Sequence, residues 1–209
     1  MKICIFGADG RSGVEVVKCA HKKDYEIVVF VHSDTVNNFF PKNTTVVKGD
    51  VLNYEDVFSA LNGTDAVVSV LGHVKGSDAR MQTKGIKNIT KAMEARGIKR
   101  ILSLTGTGAR EAGDTPSWLD IILNFSVKLI DPERIADGVE HVNVLKNSSL
   151  DWTVLRVLKL GSSQNEVNGY TLTNGGPAEI LSSRKKVAQA LVDLVENKNY
   201  FKKLPVISK

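Results

Sequence analysis

The residues most suited to binding an anionic ligand stand near the start of the chain. Gly7, Gly10 and Gly13 form a GxxGxxG pattern (GADGRSG) between a short apolar run and an amphipathic segment. Glycines at this spacing allow a tight turn, a close approach of the backbone to a pyrophosphate, and close packing of a helix on a strand. Amides at the helix start, including that of Ser12, would hold the phosphates. The pattern predicts a dinucleotide-binding loop, with a plain tight turn as the alternative.

The end of the second predicted strand bears on which dinucleotide binds. An NAD site usually has an acidic residue there, which bonds the ribose 2′-hydroxyl. Here the first residue after the strand is His32, which is not an acidic acceptor, and Asp34 comes two positions later. Arg11, inside the glycine loop, would supply positive charge to a 2′-phosphate. We therefore expect NADPH as coenzyme, with NAD possible; in the alternative, Arg11 and His32 are ordinary surface residues.

Strand and helix patterns alternate along the chain and would position this loop. Short apolar runs predict strands at residues 2–6, 26–31, 44–47, 66–71, 100–104, 152–157 and 170–173. Helical spacing and capping residues predict helices at residues 12–20, between 53 and 63, and at 77–95, 118–130, 132–146 and 183–196. This alternation predicts an α/β fold with a doubly wound, mainly parallel sheet and helices on both faces. We expect one Rossmann-type domain over residues 1–209, with a small substrate-side elaboration around 158–182.

Composition narrows the classes of function. The 209 residues are 42% apolar and carry a net charge of +5, which is ordinary for a globular protein. The lysines are scattered, whereas nucleic-acid binding needs a concentrated basic stripe. Apolar runs stay far below the roughly 18 residues of a membrane span, and the first residues lack the apolar stretch of a secretory leader. The 2 cysteines and 4 histidines lack metal-ligand spacing. We expect a cytoplasmic monomer without metal, membrane or nucleic-acid partner.

Five further segments, taken together with the glycine loop, indicate a protein family. They are VKGDV at 47–51, DAVV at 65–68, VLGH at 70–73, GIKNI at 85–89 and SLDWT at 149–153. Together they resemble the atypical branch of the short-chain dehydrogenase/reductase superfamily, in particular the NAD(P)H-binding NmrA-like proteins and the biliverdin-IXβ (flavin) reductases. The resemblance covers nearly all of residues 1–196.

The resemblance implies a set of coenzyme contacts at the ends of the third and fourth strands. These are Asp50 and Val51 for the adenine, Leu71, Gly72 and His73 beside the ribose, and Lys75 for a 2′-phosphate. His32 stands where the flavin reductases have a phosphate-binding arginine. Asp9 replaces the usual threonine, and an anion near a pyrophosphate is tolerable only if its carboxylate turns towards backbone amides.

The resemblance fails at the catalytic positions. The superfamily polarises a carbonyl with a tyrosine followed four residues later by a lysine, and none of the tyrosines at 25, 54, 170 and 200 has that partner. The usual serine position falls near residues 105–107, with Gly106 at the matching place. We expect Thr105 and Gly106 to border the coenzyme. Thr105 and Lys159 are the candidate catalytic residues, and Lys159 is otherwise a surface lysine. Expected walls of an acceptor site are residues 105–108 and 158–161 with Trp118, which is otherwise a packed helix anchor.

The absence of the Tyr–Lys pair from the sequence disfavours interconversion of alcohols and ketones, because no evident residue donates a proton to the developing oxyanion. Hydride transfer to a flavin, quinone or conjugated tetrapyrrole delocalises the charge, so water can protonate the product. The sequence therefore predicts an NAD(P)H-dependent reductase with a small-molecule hydride acceptor. A non-catalytic NmrA-like sensor that binds a protein partner is the alternative, and a binding module of a larger redox complex is a third possibility.

Overall fold

The computed structural model describes residues 1–32, 40–74, 76–162 and 169–208. The strands are β1 (Lys2–Phe6), β2 (Glu26–Val31), β3 (Thr45–Lys48), β4 (Ala66–Ser69), β5 (Arg100–Gly106), β6 (Asp151–Val157), β7 (Leu160–Gly161), β8 (Thr171–Asn174), β9 (Ser182–Ser183) and β10 (Pro205–Ser208). The α-helices are α1 (Arg11–Lys22), α2 (Tyr54–Ala60), α3 (Met81–Arg96), α4 (Trp118–Ile130), α5 (Pro132–Lys146) and α6 (Arg184–Leu194).

One eight-stranded sheet organises the chain, with the strand order β3-β2-β1-β4-β5-β6-β10-β8. All neighbours in it are parallel except β8, which runs antiparallel to β10 at the edge. The short strands β7 and β9 pair in a separate two-stranded sheet. The order reverses between β1 and β4, as in doubly wound dinucleotide-binding folds. The predicted fold class is confirmed.

The central strands are apolar on both faces because helices cover both sides of the sheet. In β1, Ile3 and Ile5 belong to the core beneath α1 and α6, whereas Cys4 and Phe6 belong to the core beneath α2, α3 and α5. Burial raises the pKa of the Cys4 thiol far above its usual range, so Cys4 serves as an apolar filler.

The predicted elements differ from the structure mainly at their ends. The strands β1 and β2 and the helix α4 have the predicted bounds, and Asn53, Asp131 and Ser183 accept hydrogen bonds as the N-caps of α2, α5 and α6. Helix α3 begins at Met81 instead of residue 77, because the preceding residues form a turn closed by Asp78. Strand β10, which lies between β6 and β8 in the sheet, was not predicted. No helix among the described residues is long and apolar enough to cross a membrane.

Candidate active site

A cleft of about 1110 Å³ opens at the carboxyl ends of the parallel strands. Its walls come from the loop after β1, the segments after β3, β4, β5 and β6, and the starts of α3 and α6. In doubly wound sheets, ligands bind outside the carboxyl ends of the strands where the strand order reverses. The cleft lies at that point, and its volume suits a large ligand with room for a second one.

The glycine loop joins β1 to α1 in a conformation that depends on missing side chains. Gly7 has a φ of +76°, and a Cβ there would lie 3.0 Å from the carbonyl oxygen of Val70. The amide of Gly10 donates to the carbonyl oxygen of Gly7 at 3.1 Å, and Gly10 is the N-cap of α1 without a side-chain cap. The first turn of α1 contains no acidic residue. The loop therefore fits the pyrophosphate of a dinucleotide.

Gly13 has a different role from the other two loop glycines. It is buried and does not line the cleft, and a Cβ there would lie 2.1 Å from the carbonyl oxygen of Gly7. Gly13 therefore allows α1 to pack against the loop, which is the packing role that the glycine pattern predicts.

Asp9 and His32 meet at the rim of the cleft, where β2 ends. The backbone amide of His32 donates to Asp9 Oδ2 at 3.3 Å, so the carboxylate does turn to a backbone amide. Both residues line the cleft. Negative charge therefore sits beside the end of β2, although the residue that directly follows the strand is a histidine. The predicted Lys75 contact and Asp34 lie outside the described residues.

The segment after β3 presents Asp50 and Val51 to the cleft, as expected for an adenine site. The Asp50 carboxylate accepts from the amide of Leu52 through Oδ1 at 2.9 Å, which fixes its orientation. Gly85 lets α3 approach this segment, because a Cβ there would lie 3.1 Å from Val51 Cγ2 and 3.0 Å from Leu71 Cδ1.

Beyond β4, the segment of Leu71, Gly72 and His73 lines the middle of the cleft. Gln82 Nε2 donates to the carbonyl oxygen of Leu71 at 2.6 Å and so tethers this segment to α3. His73 Nε2 lies 3.0 Å from Oδ2 of Asp137, which is buried on α5. Sequence reasoning missed Gln82 and Asp137, since only the packing of α3 and α5 brings them to the end of β4.

The opposite end of the cleft contains Thr105 and Gly106 at the end of β5 and Lys159 after β6. Thr105 is buried, and a Cβ on Gly138 of α5 would lie 3.0 Å from its Oγ1. Lys159 is exposed at the rim. The structure thus brings both catalytic candidates to one cleft.

Trp118 is not part of this wall. It is 68% exposed at the start of α4 and lines no part of the cleft, so it is neither the packed anchor nor the wall residue expected from the sequence. Further along α4, Asn124 and Val127 do line the cleft.

Two arginines face each other across the helix starts beside the glycine loop. Arg11 begins α1, Arg184 begins α6, and both line the cleft. Burial, and then the positive charge of Arg11, lower the pKa of Arg184. Two like charges at one cleft favour an anionic ligand between them. Arg184 was not predicted, because nothing in the sequence indicates that α6 packs beside α1.

The described residues offer neither a tyrosine in the cleft nor a cluster of metal ligands. The described lining residues of the cleft include no tyrosine, and no group of three or more histidine, cysteine, aspartate or glutamate residues that could hold a metal occurs among the described residues.

Comparison with known families agrees with this geometry. The model of a family described as NAD(P)H-binding matches residues 7–198. The chain belongs to this NAD(P)H-binding family. The NAD(P)H-binding family expected from the resemblance is thereby confirmed.

Curated relatives match part of the chain. Over 108 residues it is 28% identical to an isoflavone reductase homolog from Solanum tuberosum and 32% identical to eugenol synthase 1 from Petunia hybrida. Each match covers 47% of this chain and 33% of the relative, so the chain spans about a third of the length of these relatives.

Solved structures share the whole fold. A short-chain dehydrogenase/reductase from Veillonella parvula in complex with NADP has a TM-score of 0.80 at 18% identity, covering 100% of this chain and 94% of that one. ChuY, an anaerobilin reductase from Escherichia coli O157:H7, has a TM-score of 0.78 at 17% identity, covering 100% and 96%. At such identities the likeness establishes the fold alone.

Proposed function

We propose that this chain is an NAD(P)H-dependent reductase that passes hydride to a flavin, a quinone or another conjugated acceptor. The observation that carries the proposal is one cleft, of about 1110 Å³, that extends from the glycine loop at the N-cap of α1 to the ends of β5 and β6. The bound coenzyme would supply the hydride.

The residues around the far end of the cleft support a conjugated acceptor. Val127 and Ile135 contribute apolar surface from α4 and α5, and Leu158 and Leu160 contribute it from the segment after β6. A flat ring system can pack against such surface, and orientation over the coenzyme then supplies much of the rate. Lys159 is placed at the rim to bind a carboxylate or phosphate of the acceptor. The described lining residues include no tyrosine, so the superfamily's usual donor to a ketone oxygen is absent from this part of the cleft.

Positive charges in the cleft favour a phosphorylated coenzyme, whereas a negative charge near the expected ribose site disfavours a 2′-phosphate. Arg11 and Arg184 attract the phosphates, and a structural neighbour binds NADP, which supports NADPH as the reductant. Asp9 places a carboxylate beside His32, where the ribose 2′-position is expected, and there it weakens binding of a 2′-phosphate. We propose NADPH as the preferred coenzyme, with Asp9 limiting the preference so that NADH also binds.

Turnover with defined acceptors tests the proposal. The purified chain is mixed with NADPH and, in separate reactions, with FMN, menadione or biliverdin, and loss of the nicotinamide absorbance is followed. We expect consumption that depends on the protein and disappears when Gly10 is replaced by valine, whereas replacement of the exposed His21 by glutamine leaves it unchanged. Coenzyme binding without consumption in any reaction would contradict the proposal.

One observation favours the alternative of a dinucleotide sensor. Helix α4 lies beside the cleft and exposes a row of large apolar side chains, namely Trp118, Ile121, Ile122, Phe125, Leu129 and Ile130. Such surface is typical of a protein-binding site. A sensor would bind the coenzyme tightly and fail to oxidise it with every acceptor, so the turnover experiment separates the two functions.

A further inference from the structure

A histidine and a buried carboxylate meet in the wall of the cleft, between the coenzyme loop and the proposed acceptor end. His73 Nε2 and Asp137 Oδ2 are 3.0 Å apart. The His73 Nε2 atom is buried, yet its side chain keeps 18% exposure and lines the cleft. Part of the His73 side chain other than Nε2 therefore faces the cleft.

Asp137 is held firmly in place. It is 0% exposed, and its two carboxylate oxygens accept from the backbone amides of Gln82 at 3.0 Å and Thr83 at 2.9 Å. The hydroxyl of Thr83 also donates to the Asp137 carbonyl oxygen at 3.1 Å. A carboxylate with this support cannot follow the ring, so the ring must adapt to the carboxylate.

The contact between the two side chains is close but bent. The Nε2–H bond does not point straight at Asp137 Oδ2, although the distance is that of an ion pair. Hydrogen bonds of reacting groups are often poorly aligned without substrate and tighten in the complex. A small rotation of the His73 ring would straighten this one.

Other ionisable groups around the pair leave Asp137 as its nearest anion. Burial lowers the pKa of His141, one turn further along α5, to about 4, so His141 is neutral and its Nε2 lies 2.7 Å from Ser103 Oγ. Asp78, before α3, pairs with Lys84 at 2.6 Å, and the hydrogen bond from Lys84, ahead of the amide of Arg80, lowers its pKa.

We infer that Asp137 is a positioning residue that holds the His73 imidazole with Nδ1 towards the acceptor, and that His73 delivers the proton the reduced acceptor needs. The inference rests on the proposed function. Hydride transfer gives the acceptor two electrons and one hydrogen and leaves it anionic. The Nδ1–H bond of the imidazolium then breaks, the proton joins the acceptor anion, and the neutral imidazole regains a proton from solvent. Asp137 keeps its contact with Nε2 throughout.

The position of the pair suits this role. Gly138, the next residue after Asp137, abuts Thr105 at the proposed hydride-transfer end. Asp137 thus immediately precedes a residue that borders that end, and His73, which follows β4, lines the same cleft. A carboxylate that bonds one imidazole nitrogen fixes the tautomer and leaves the other nitrogen for proton transfer.

The first test needs neither coenzyme nor acceptor. Nitrogen-15 NMR of the histidine rings in the coenzyme-free chain reports which ring nitrogen carries the proton. In the neutral ring, we expect His73 to carry it on Nε2, and Asp137→Asn to convert this into a mixture of tautomers. His21 in the same spectra is an internal control. An unchanged His73 tautomer in Asp137→Asn would overturn the positioning role.

The second test separates proton delivery from structural support. His73→Ala leaves the bonds from Gln82 and Thr83 to Asp137 in place, so we expect it to fold. Because His73 also lines the coenzyme cleft, turnover is measured at saturating NADPH, so that a change in coenzyme affinity does not enter the comparison. With FMN or menadione as acceptor, turnover of the variant should fall at least about tenfold, and imidazole added to the buffer should restore part of the rate. His21→Ala should show neither loss nor rescue.

The outcomes distinguish this inference from the proposed function. Suppose that the parent chain oxidises NADPH and that His73→Ala is equally fast, or is slow and not rescued by imidazole. Proton delivery by His73 would then be overturned, while the proposed function would stand. If the parent chain fails to oxidise NADPH with every acceptor tested, the proposed function is overturned. The tautomer measurement would still decide the role of Asp137.

Discussion

Replacing Gly10 by alanine should separate coenzyme binding from folding. The backbone at Gly10 has φ −75° and ψ 160°, which alanine adopts without strain. A Cβ there meets only the carbonyl oxygen of Gly7, at 3.2 Å, and otherwise enters open space in the cleft. Alanine restricts the unfolded chain, which stabilises by about 0.4–1 kcal/mol, but it is a poorer N-cap than glycine. The free energy of unfolding should therefore change by less than about 1 kcal/mol.

Coenzyme binding should respond far more strongly to the same methyl group. It would stand where the phosphates must approach the loop amides, and each hydrogen bond to a charged group contributes about 1.5–3 kcal/mol. Losing one or two of them costs about 3 kcal/mol, which raises the Kd roughly a hundredfold. Calorimetric titration with NADPH and NADH measures this, and thermal melts measure the stability. An unchanged Kd in Gly10→Ala would refute the assignment of the loop.

Gly13→Ala provides the contrast within the same loop. Its Cβ would lie 2.1 Å from the carbonyl oxygen of Gly7 and 2.5 Å from Ala8 Cα, so backbone must move. We expect the free energy of unfolding to fall by about 1–3 kcal/mol. If the two alanine variants lost equal stability, Gly10 would not be the open position that we describe.

Three further predictions concern charge. Asp9→Asn should raise the affinity for NADPH relative to NADH by roughly fivefold, about 1 kcal/mol, and an unchanged ratio by calorimetry would contradict the place given to Asp9. Arg184→Gln should weaken binding of both coenzymes by about tenfold. The neighbouring Lys185 does not line the cleft, so Lys185→Gln should leave binding unchanged. Equal effects of the two substitutions would contradict the role given to Arg11 and Arg184. Burial lowers the pKa of His141 to about 4, so the unfolded chain takes up a proton first as the pH falls below about 6.5. Stability should then drop by about 2 kcal/mol between pH 7 and pH 5. His141→Gln should remove that part of the pH dependence, and urea titrations that show the same drop in the variant would contradict it.

The sequence predicted the fold because strand and helix signals were local. Apolar runs such as Glu26–Val31 are buried on both faces and bounded by polar residues, and caps such as Asn53 mark helix starts. The strand Pro205–Ser208 gave no comparable signal, because it forms by pairing with β6 and β8, which lie far away in the sequence.

The candidate site was predictable where it follows strand ends and unpredictable where helices converge. The glycine loop, Asp50 and His73 all follow parallel strands, whose carboxyl ends meet at one edge of the sheet. Arg184 and Asp137 come to the cleft only through the packing of α6 on α1 and of α5 on α3. Trp118 was misjudged because its helix α4 leaves most of its apolar residues exposed, so apolar character alone did not indicate burial.

The central claim is that the loop of residues 7–13 binds a nicotinamide dinucleotide in this cleft. The most direct measurement is a calorimetric titration of the parent chain with NADPH and with NADH, repeated with Gly10→Ala. We predict one coenzyme bound per chain, with affinity sharply reduced in the variant. The absence of binding heat with either coenzyme, even at millimolar concentration, would contradict the claim.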